Sequence, residues 1–197
     1  MTRHLAEDVR REQILEAARA AFVETGFVPT RMEDIARRAG LSKGGVYFHF
    51  SSKQELFDAL VQQEYDASIG MLEQVGRDDG PVAQKLETLA RFYLGRLGDN
   101  SVSSRFFVVM NAVAIRDPQV RSRLQSMHET FVGAIEAVIK EGIAKGEVRP
   151  VDMMSVATLL KAIVNGLEVA VAMGYNPNLG RVAQSSLEVL LLGLAPR

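Results

Sequence analysis

Ala39-Gly40-Leu41-Ser42-Lys43-Gly44-Gly45-Val46-Tyr47-Phe48-His49-Phe50-Ser51-Ser52-Lys53-Gln54-Glu55 is the stretch whose punctuation decides the fold. Gly40 stops one short helix, Leu41 plugs the turn, and Ser42 is a good N-cap for a second helix reaching about Phe48. Ser52-Lys53-Gln54-Glu55 then has the capping-box pattern and opens a long helix. Just upstream, Thr30-Arg31-Met32-Glu33 carries the same box and starts a helix over about Arg31 to Ala39. Two short helices joined by a tight glycine-containing turn, over residues 31–48, have the dimensions of a helix-turn-helix.

In that motif the first helix braces across the DNA backbone while the N-terminal end of the second enters the major groove. Ser42-Lys43-Gly44-Gly45 is that leading end. Two adjacent glycines cost roughly 1 kcal/mol each relative to alanine in a helix. Stability therefore does not explain them, whereas close approach of the backbone to another surface does, be it DNA or a neighbouring helix. Tyr47, His49 and Lys53 follow at spacings suited to phosphate contacts, with Lys53 in a helix first turn where anions are favoured. Phe48 and Phe50 alternate with them and read as core. From Ile35 to Gln54 there is no acidic residue, while Arg37, Arg38, Lys43 and Lys53 are cationic. On charge alone that stretch fits a solvated basic face as well as a nucleic-acid contact.

Helical periodicity continues in both directions. The first helix covers about Ala6 to Thr25, with Ile14, Leu15, Ala18, Ala21 and Phe22 on one face, and Gly26 ends it. After the fourth helix, Asp79-Gly80-Pro81 precedes a helix containing Leu86, Leu89, Phe92 and Leu97. Gly98-Asp99-Asn100-Ser101 is the next break, before Phe106, Phe107, Val109, Met110 and Ile115. Asp117-Pro118 is a cap followed by proline at the first helical position, opening a helix to about Lys145 that Gly146 stops. Pro150-Val151-Asp152 leads into an almost wholly apolar helix to Met173. Asn176-Pro177 repeats the cap-plus-proline signal before a last helix to about Leu194. The expected class is all-α, about nine helices, with no repeat and no low-complexity linker.

Bulk properties bound the function. The chain has 197 residues, 47% hydrophobic, ample for a buried core. A net charge of −1 argues against coating nucleic acid by bulk electrostatics. The absence of cysteine removes thiolate and disulfide chemistry and fits a reducing cytoplasm, the expected location. His4, His49 and His128 are too scattered to suggest a metal site, so neither metal nor cofactor is expected. The opening Met1-Thr2-Arg3-His4-Leu5 has no apolar run of signal-peptide kind. Val156 to Met173 is interrupted by Lys161 and Glu168, which argues against a transmembrane span.

Gln13-Ile14-Leu15-Glu16-Ala17-Ala18, Phe22, Gly26-Phe27, Thr30, Ile35-Ala36, Ala39-Gly40-Leu41-Ser42-Lys43-Gly44, Val46-Tyr47-Phe48-His49-Phe50 and Lys53-Gln54-Glu55-Leu56 fall in register together. Over about the first 60 residues this closely resembles the tetracycline-repressor (TetR) family. Beyond them the likeness is in helix count, length and order only. The resemblance implies a three-helix DNA-binding head, residues 1–52, and a ligand-binding and dimerisation body, residues 53–197. It implies phosphate contacts at Thr30, Tyr47, His49 and Lys53, and base-edge proximity at Ser42, Lys43, Gly44 and Gly45. Arg31 is grouped with these as a DNA-binding candidate. It also implies a homodimer in which the last two helices pair with their symmetry mates.

The dimer has independent support. The helix from Asp152 to Met173 is apolar nearly all round, so it needs cover on more than one side. Leu160, Ile163 and Leu167 there, with Leu187, Leu190 and Leu191 of the last helix, are the candidate interface. Such a dimer would set two recognition helices one DNA turn apart and predicts a palindromic operator. Phe92, Phe107, Met110 and Phe131 are candidate walls of an effector cavity, with Asn111 and Asn165 as polar groups that fix the ligand. Residue by residue, ordinary core is the better reading of the apolar ones. His128 and Glu168 are further polar groups inside apolar helices that need partners. The expected function is a transcriptional regulator, a repressor released from operator DNA by a small, largely hydrophobic effector. Its rivals are a DNA-binding protein controlled by a protein partner or by no effector, and a helical enzyme. No catalytic constellation supports the enzyme.

Overall fold

The computed structural model describes residues 2–99 and 101–196, with side chains throughout except at residues 2–6, 98, 99 and 101. Nine helices are seen among them: α1 (Thr2–Thr25), α2 (Met32–Arg38), α3 (Lys43–His49), α4 (Lys53–Arg77), α5 (Val82–Asp99), α6 (Ser101–Ala114), α7 (Pro118–Lys145), α8 (Met153–Ala172) and α9 (Leu179–Leu194). No strand occurs among the described residues, as the all-α expectation requires. The break expected at Gly98-Asp99-Asn100-Ser101 falls partly outside the described residues, since Asn100 is not among them.

Local chemistry sets most helix starts. Ser42 caps α3 by accepting from the Gly45 amide at 3.1 Å, and Ser52 caps α4 by accepting from the Glu55 amide at 3.1 Å. Asp117 accepts from the Gln119 and Val120 amides ahead of Pro118. Asp152 does the same for Ser155 at 3.0 Å. Gly146 ends α7 with φ of 74°, the left-handed conformation that favours glycine.

Two starts differ from expectation. Helix α2 begins at Met32 with Arg31 as the cap residue, so the Thr30–Glu33 box does not form. The Arg31 amide donates instead to Asp34 Oδ2 at 3.3 Å, and Glu33 pairs with Lys43. Helix α9 begins at Leu179, not after Asn176-Pro177, because Asn178 is the residue whose Oδ1 accepts from the Arg181 amide at 3.0 Å.

Buried side chains fall into two clusters that meet on α4. The first joins α1, α2 and α3 to the first half of α4 and to α6, through Phe22, Ile35, Val46, Phe50, Phe57 and Phe106. Tilted ring contacts link these elements, the Phe57 centroid lying 4.7 Å from that of Phe27 and 5.7 Å from that of Phe106. The second cluster joins the far half of α4 to α5, α7, α8 and α9 through Leu72, Leu89, Tyr93, Phe131, Ile135 and Ile139. A single helix therefore runs from the cluster that holds the head into the cluster of the far body.

The two C-terminal helices are poorly covered. Ala157 is the one residue of α8 that is fully buried, and α9 buries only Leu194. Leu159, Met173, Val189 and Leu192 are each more than half exposed. Helix α8 is long and apolar enough, by length and mean hydropathy of 1.5, to cross a membrane. Its polar residues Lys161, Asn165 and Glu168 nevertheless turn inward to a cavity, and it packs on α6 and α7 as part of the body.

Candidate DNA-binding surface and effector cavity

Helix α3 presents a narrow exposed edge. Val46 and Phe50 are fully buried and anchor it, while Tyr47 is 43% exposed and Phe48 81% exposed. The sequence expectation that Phe48 is core is thus corrected. On a helix, residue 48 lies about 200° from residue 46, so a residue two steps from a buried valine points outward. Phe50 stays inside because it is the cap residue with extended backbone, its φ being −141°. Phe48 is the functional candidate that alternation missed.

Around this edge, a Cβ at Gly44 would meet nothing within 4 Å. No neighbouring helix explains that glycine, and its exposed backbone is open to an approaching surface. Gly45 is different: an added Cβ would come within 3.3 Å of the Ser42 hydroxyl that caps the helix. Ser42 and Lys43 are exposed. The Lys43 ammonium pairs with Glu33 at 2.5 Å and lies 5.7 Å from the Tyr47 ring centroid. That pairing pushes the Glu33 carboxyl below, and the Lys43 ammonium above, their ordinary values. Arg31 is exposed at the start of α2. His49 is half-buried, its ring edge-on to Phe48, and its carbonyl accepts from Arg11 at 2.9 Å.

Two expected phosphate ligands are occupied elsewhere. Lys53 donates to three carbonyls of the turn between α1 and α2: Phe27 at 2.7 Å, Val28 at 2.9 Å and Thr30 at 2.8 Å. Its ammonium has three N–H groups, so this set satisfies it, and it also sits 4.7 Å from the Phe27 ring centroid. Thr30 is 3% exposed, its hydroxyl bonded to the Gly26 carbonyl at 2.6 Å and the Thr25 hydroxyl at 2.8 Å. In this conformation both side chains hold the α1–α2 turn in place. The cationic run is likewise compensated, since Arg37 pairs with Asp34 and Arg38 with Glu24. What the surface offers is hydroxyl, aromatic edge and bare backbone more than surplus charge.

In the body, Phe107, Met110, Asn111 and Asn165 come together around one cavity of about 170 Å³. They arrive from α6 and α8, more than fifty residues apart. Tyr93, His128, Lys161 and Glu168 share its walls. Phe131 instead lines a separate apolar cleft of about 400 Å³ between α5, α7, α8 and α9. Phe92 lines neither, packing edge-on against Tyr93 with centroids 5.1 Å apart. Four of the six candidates therefore converge, and the convergence is more polar than an apolar effector would need.

Polar satisfaction in this cavity is incomplete. Asn165 Oδ1 and the Tyr93 hydroxyl are buried without a hydrogen-bond partner among the described residues. Ser68 lies near the Tyr93 phenol and opposes its rise in pKa, but forms no bond of ordinary geometry; burial pushes the phenol up to about 12. Burial likewise pushes the Glu168 carboxyl up to about 7, against the attraction of Lys161, whose own ammonium burial lowers. Asn111 is self-contained, donating to the Phe107 carbonyl at 2.8 Å. Glu64 is the best-paired wall residue, bridging Arg19 of α1 and Arg96 of α5. No cluster of metal-ligating side chains is found among the described residues.

The expected dimer residues are split between cleft and surface. Leu160, Ile163, Leu167, Leu187 and Leu190 line the apolar cleft, and Ile163 is also 39% exposed. Leu191 is half-buried against the second core cluster. Helix α9 rests on α5 while α8 rests on α6 and α7, leaving the cleft between them.

Comparison with known proteins agrees with both halves. Residues 14–60 match the family of bacterial regulatory proteins described as tetR, and residues 82–191 match the C-terminal family described as BetI-type transcriptional repressor. The HTH-type transcriptional regulator YfiR of Bacillus subtilis is 29% identical over 81% of this chain and 77% of its own length. GusR of Salmonella enterica superposes with a TM-score of 0.75 at 25% identity, covering 94% of this chain and 95% of its own. A regulator from Saccharomonospora viridis, solved in complex with choline, superposes with a TM-score of 0.81 at 20% identity, covering 95% and 98%. With its short helix pair ahead of a larger helical body and both parts matched in order, the chain belongs to the TetR family of transcriptional regulators.

Proposed function

We propose that this regulator is a homodimeric repressor that holds a palindromic operator through α3 and releases it when a small molecule enters the body. Within the head, residues 1–52, Tyr47 and His49 reach phosphates, while Ser42, Lys43 and the backbone at Gly44 and Gly45 lie at base edges. Arg31 adds a backbone contact from the start of α2. Phe48 joins this set as an apolar contact, for instance to a thymine methyl. Thr30 and Lys53 support the surface from behind, for the reasons given by their bonds.

The body, residues 53–197, senses the effector. The single observation that carries this is the pair of buried, unpartnered polar atoms, Asn165 Oδ1 and the Tyr93 hydroxyl, facing one cavity. Leaving such groups unmade costs about 1–3 kcal/mol each, which a ligand can recover. The choline complex of the Saccharomonospora viridis protein supports a body of this shape admitting a small charged molecule. Occupancy would act through α4, which carries Glu64 in the cavity wall and Leu56 and Phe57 in the head's core. Exposed Leu159, Val189 and Leu192, with the cleft residues, would be covered by the partner subunit.

The test is selection of bound fragments from genomic DNA with dimeric protein at low salt, followed by a search for small molecules that release them. An enriched palindrome supports the reading. Absence of any enriched site would overturn it, whatever the effector.

A further inference from the structure

The polar cavity holds one charged group of each sign, Lys161 and Glu168, without a direct ion-pair contact among the described residues, although the two attract each other and Arg96 attracts Glu168 from a distance. Lys161, Asn165 and Glu168 all line it from one face of α8, at i, i+4 and i+7. At 1.5 Å rise per residue, Lys161 and Glu168 sit about 10 Å apart along the axis. Neither forms an ion pair within 4 Å among the described residues, although the nearby Glu64 forms two, to Arg19 and Arg96. The Lys161 ammonium lies over the Phe131 ring, 4.7 Å from its centroid. Between the two on the same helix face is Asn165, whose buried Oδ1 has no donor among the described residues.

A ligand with a single charge resolves half of this. A simple cation pairs with Glu168 and leaves Lys161 bare; a simple anion does the reverse. Both groups are desolvated, so either remainder stays costly. Burial raises the Glu168 carboxyl and lowers the Lys161 ammonium, and a ligand that supplies an opposite charge to each would favour both ionised forms. The volume of about 170 Å³ sets the scale at a molecule of amino-acid size.

We infer that the effector of this cavity is a small zwitterion. Its cationic, hydrogen-donating group meets Glu168 and Asn165 Oδ1, and its anionic group meets Lys161. This rests on the effector-responsive function proposed above and names the ligand class for it.

The experiment is titration calorimetry on the full-length protein with probes matched in length: ω-amino acids from 3-aminopropanoate to 6-aminohexanoate, pentane-1,5-diamine and glutarate. The expected result is that one or more amino acids bind about ten-fold or more tightly than both the diamine and the diacid, as loss of one charge-assisted contact dictates. Glu168→Gln and Lys161→Met should each remove about that advantage, the first by losing the cationic end and the second the anionic end. Equal binding of diamine or diacid, or amino-acid binding unchanged in both variants, overturns the inference. So does a protein that selects DNA normally but binds no amino acid of the series. Selection of fragments by the same preparation separates the failures: DNA bound without zwitterion sinks only the ligand class, whereas no DNA bound sinks the regulatory function.

Discussion

Glu168→Gln should make the protein more stable, and only above a definite pH. In the folded chain the Glu168 carboxyl titrates at about 7, raised from 4.5 chiefly by burial; Glu64 adds to the rise, while Lys161 and Arg96 oppose it. The folded state thus holds a proton that the unfolded chain gives up more easily. Below about pH 4.5 both states are protonated and the group costs nothing. Between about 4.5 and 7 stability falls as pH rises, and above 7 the full penalty remains. At 1.36 kcal/mol per pH unit of displacement, the penalty is about 3 kcal/mol, reduced to roughly 2–3 by water at the cavity mouth. A glutamine keeps the shape and removes the titration. Urea denaturation of both proteins, at one protein concentration because a dimer's stability depends on it, measures the difference at pH 5 and pH 8. The variant should gain about 2–3 kcal/mol at pH 8 and well under 1 at pH 5. A gain independent of pH, or a loss at pH 8, would show that Glu168 finds a partner in the ligand-free protein and would refute the reasoning.

Other substitutions separate neighbouring roles. Lys53→Met removes a donor to three carbonyls and should lower stability by roughly 2 kcal/mol, since those carbonyls regain water. The salt dependence of operator binding should stay unchanged, whereas a phosphate ligand would lower its slope by about 0.9. Lys43→Ala should relax discrimination among operator variants by about 1–3 kcal/mol, a loss that is uniform across sequences if Lys43 touches only backbone. Phe48→Ala should leave thermal stability within about 0.5 kcal/mol, its ring being 81% exposed, yet weaken operator binding in a gel-shift titration. Val189→Asp combined with Leu192→Asp, both 72% exposed in the single chain, should yield a folded monomer by sedimentation velocity.

The division between what was legible in the sequence and what was not follows the range of the interactions. Helix identity and most boundaries are set within about four residues, where a serine or aspartate side chain meets an amide of its own first turn. Ser42, Ser52, Asp117, Asp152 and Gly146 could be read directly for that reason. The Thr30 box shifts by one step because the Thr30 hydroxyl turns back across the α1–α2 turn to donate to the Gly26 carbonyl, and the Arg31 amide donates to Asp34 in place of Glu33 closing the box. Phe48 points outward because α3 is a helix, on which a residue two steps from buried Val46 faces away, whereas alternation with Phe50 would put both inside only in a strand.

Roles that depend on meeting a distant segment were decided only in three dimensions. Lys53 has the residue type and spacing of a phosphate ligand, and it became a brace because three carbonyls from residues 27 to 30 stand within 2.9 Å. Asn111 and Asn165 could be singled out as polar residues in apolar helices, but their meeting at one cavity depends on how α6 and α8 rotate against each other. Glu64 carries no distinguishing signal in the sequence, being one carboxylate among several on a long helix, yet it ties α1 to α5 at the edge of that cavity. Sequence by itself determined the helices and the family of the head, because caps and periodicity are local chemistry. Tertiary structure decided which charges are spent and which remain open, because the partner of a buried group is chosen by packing across tens of residues.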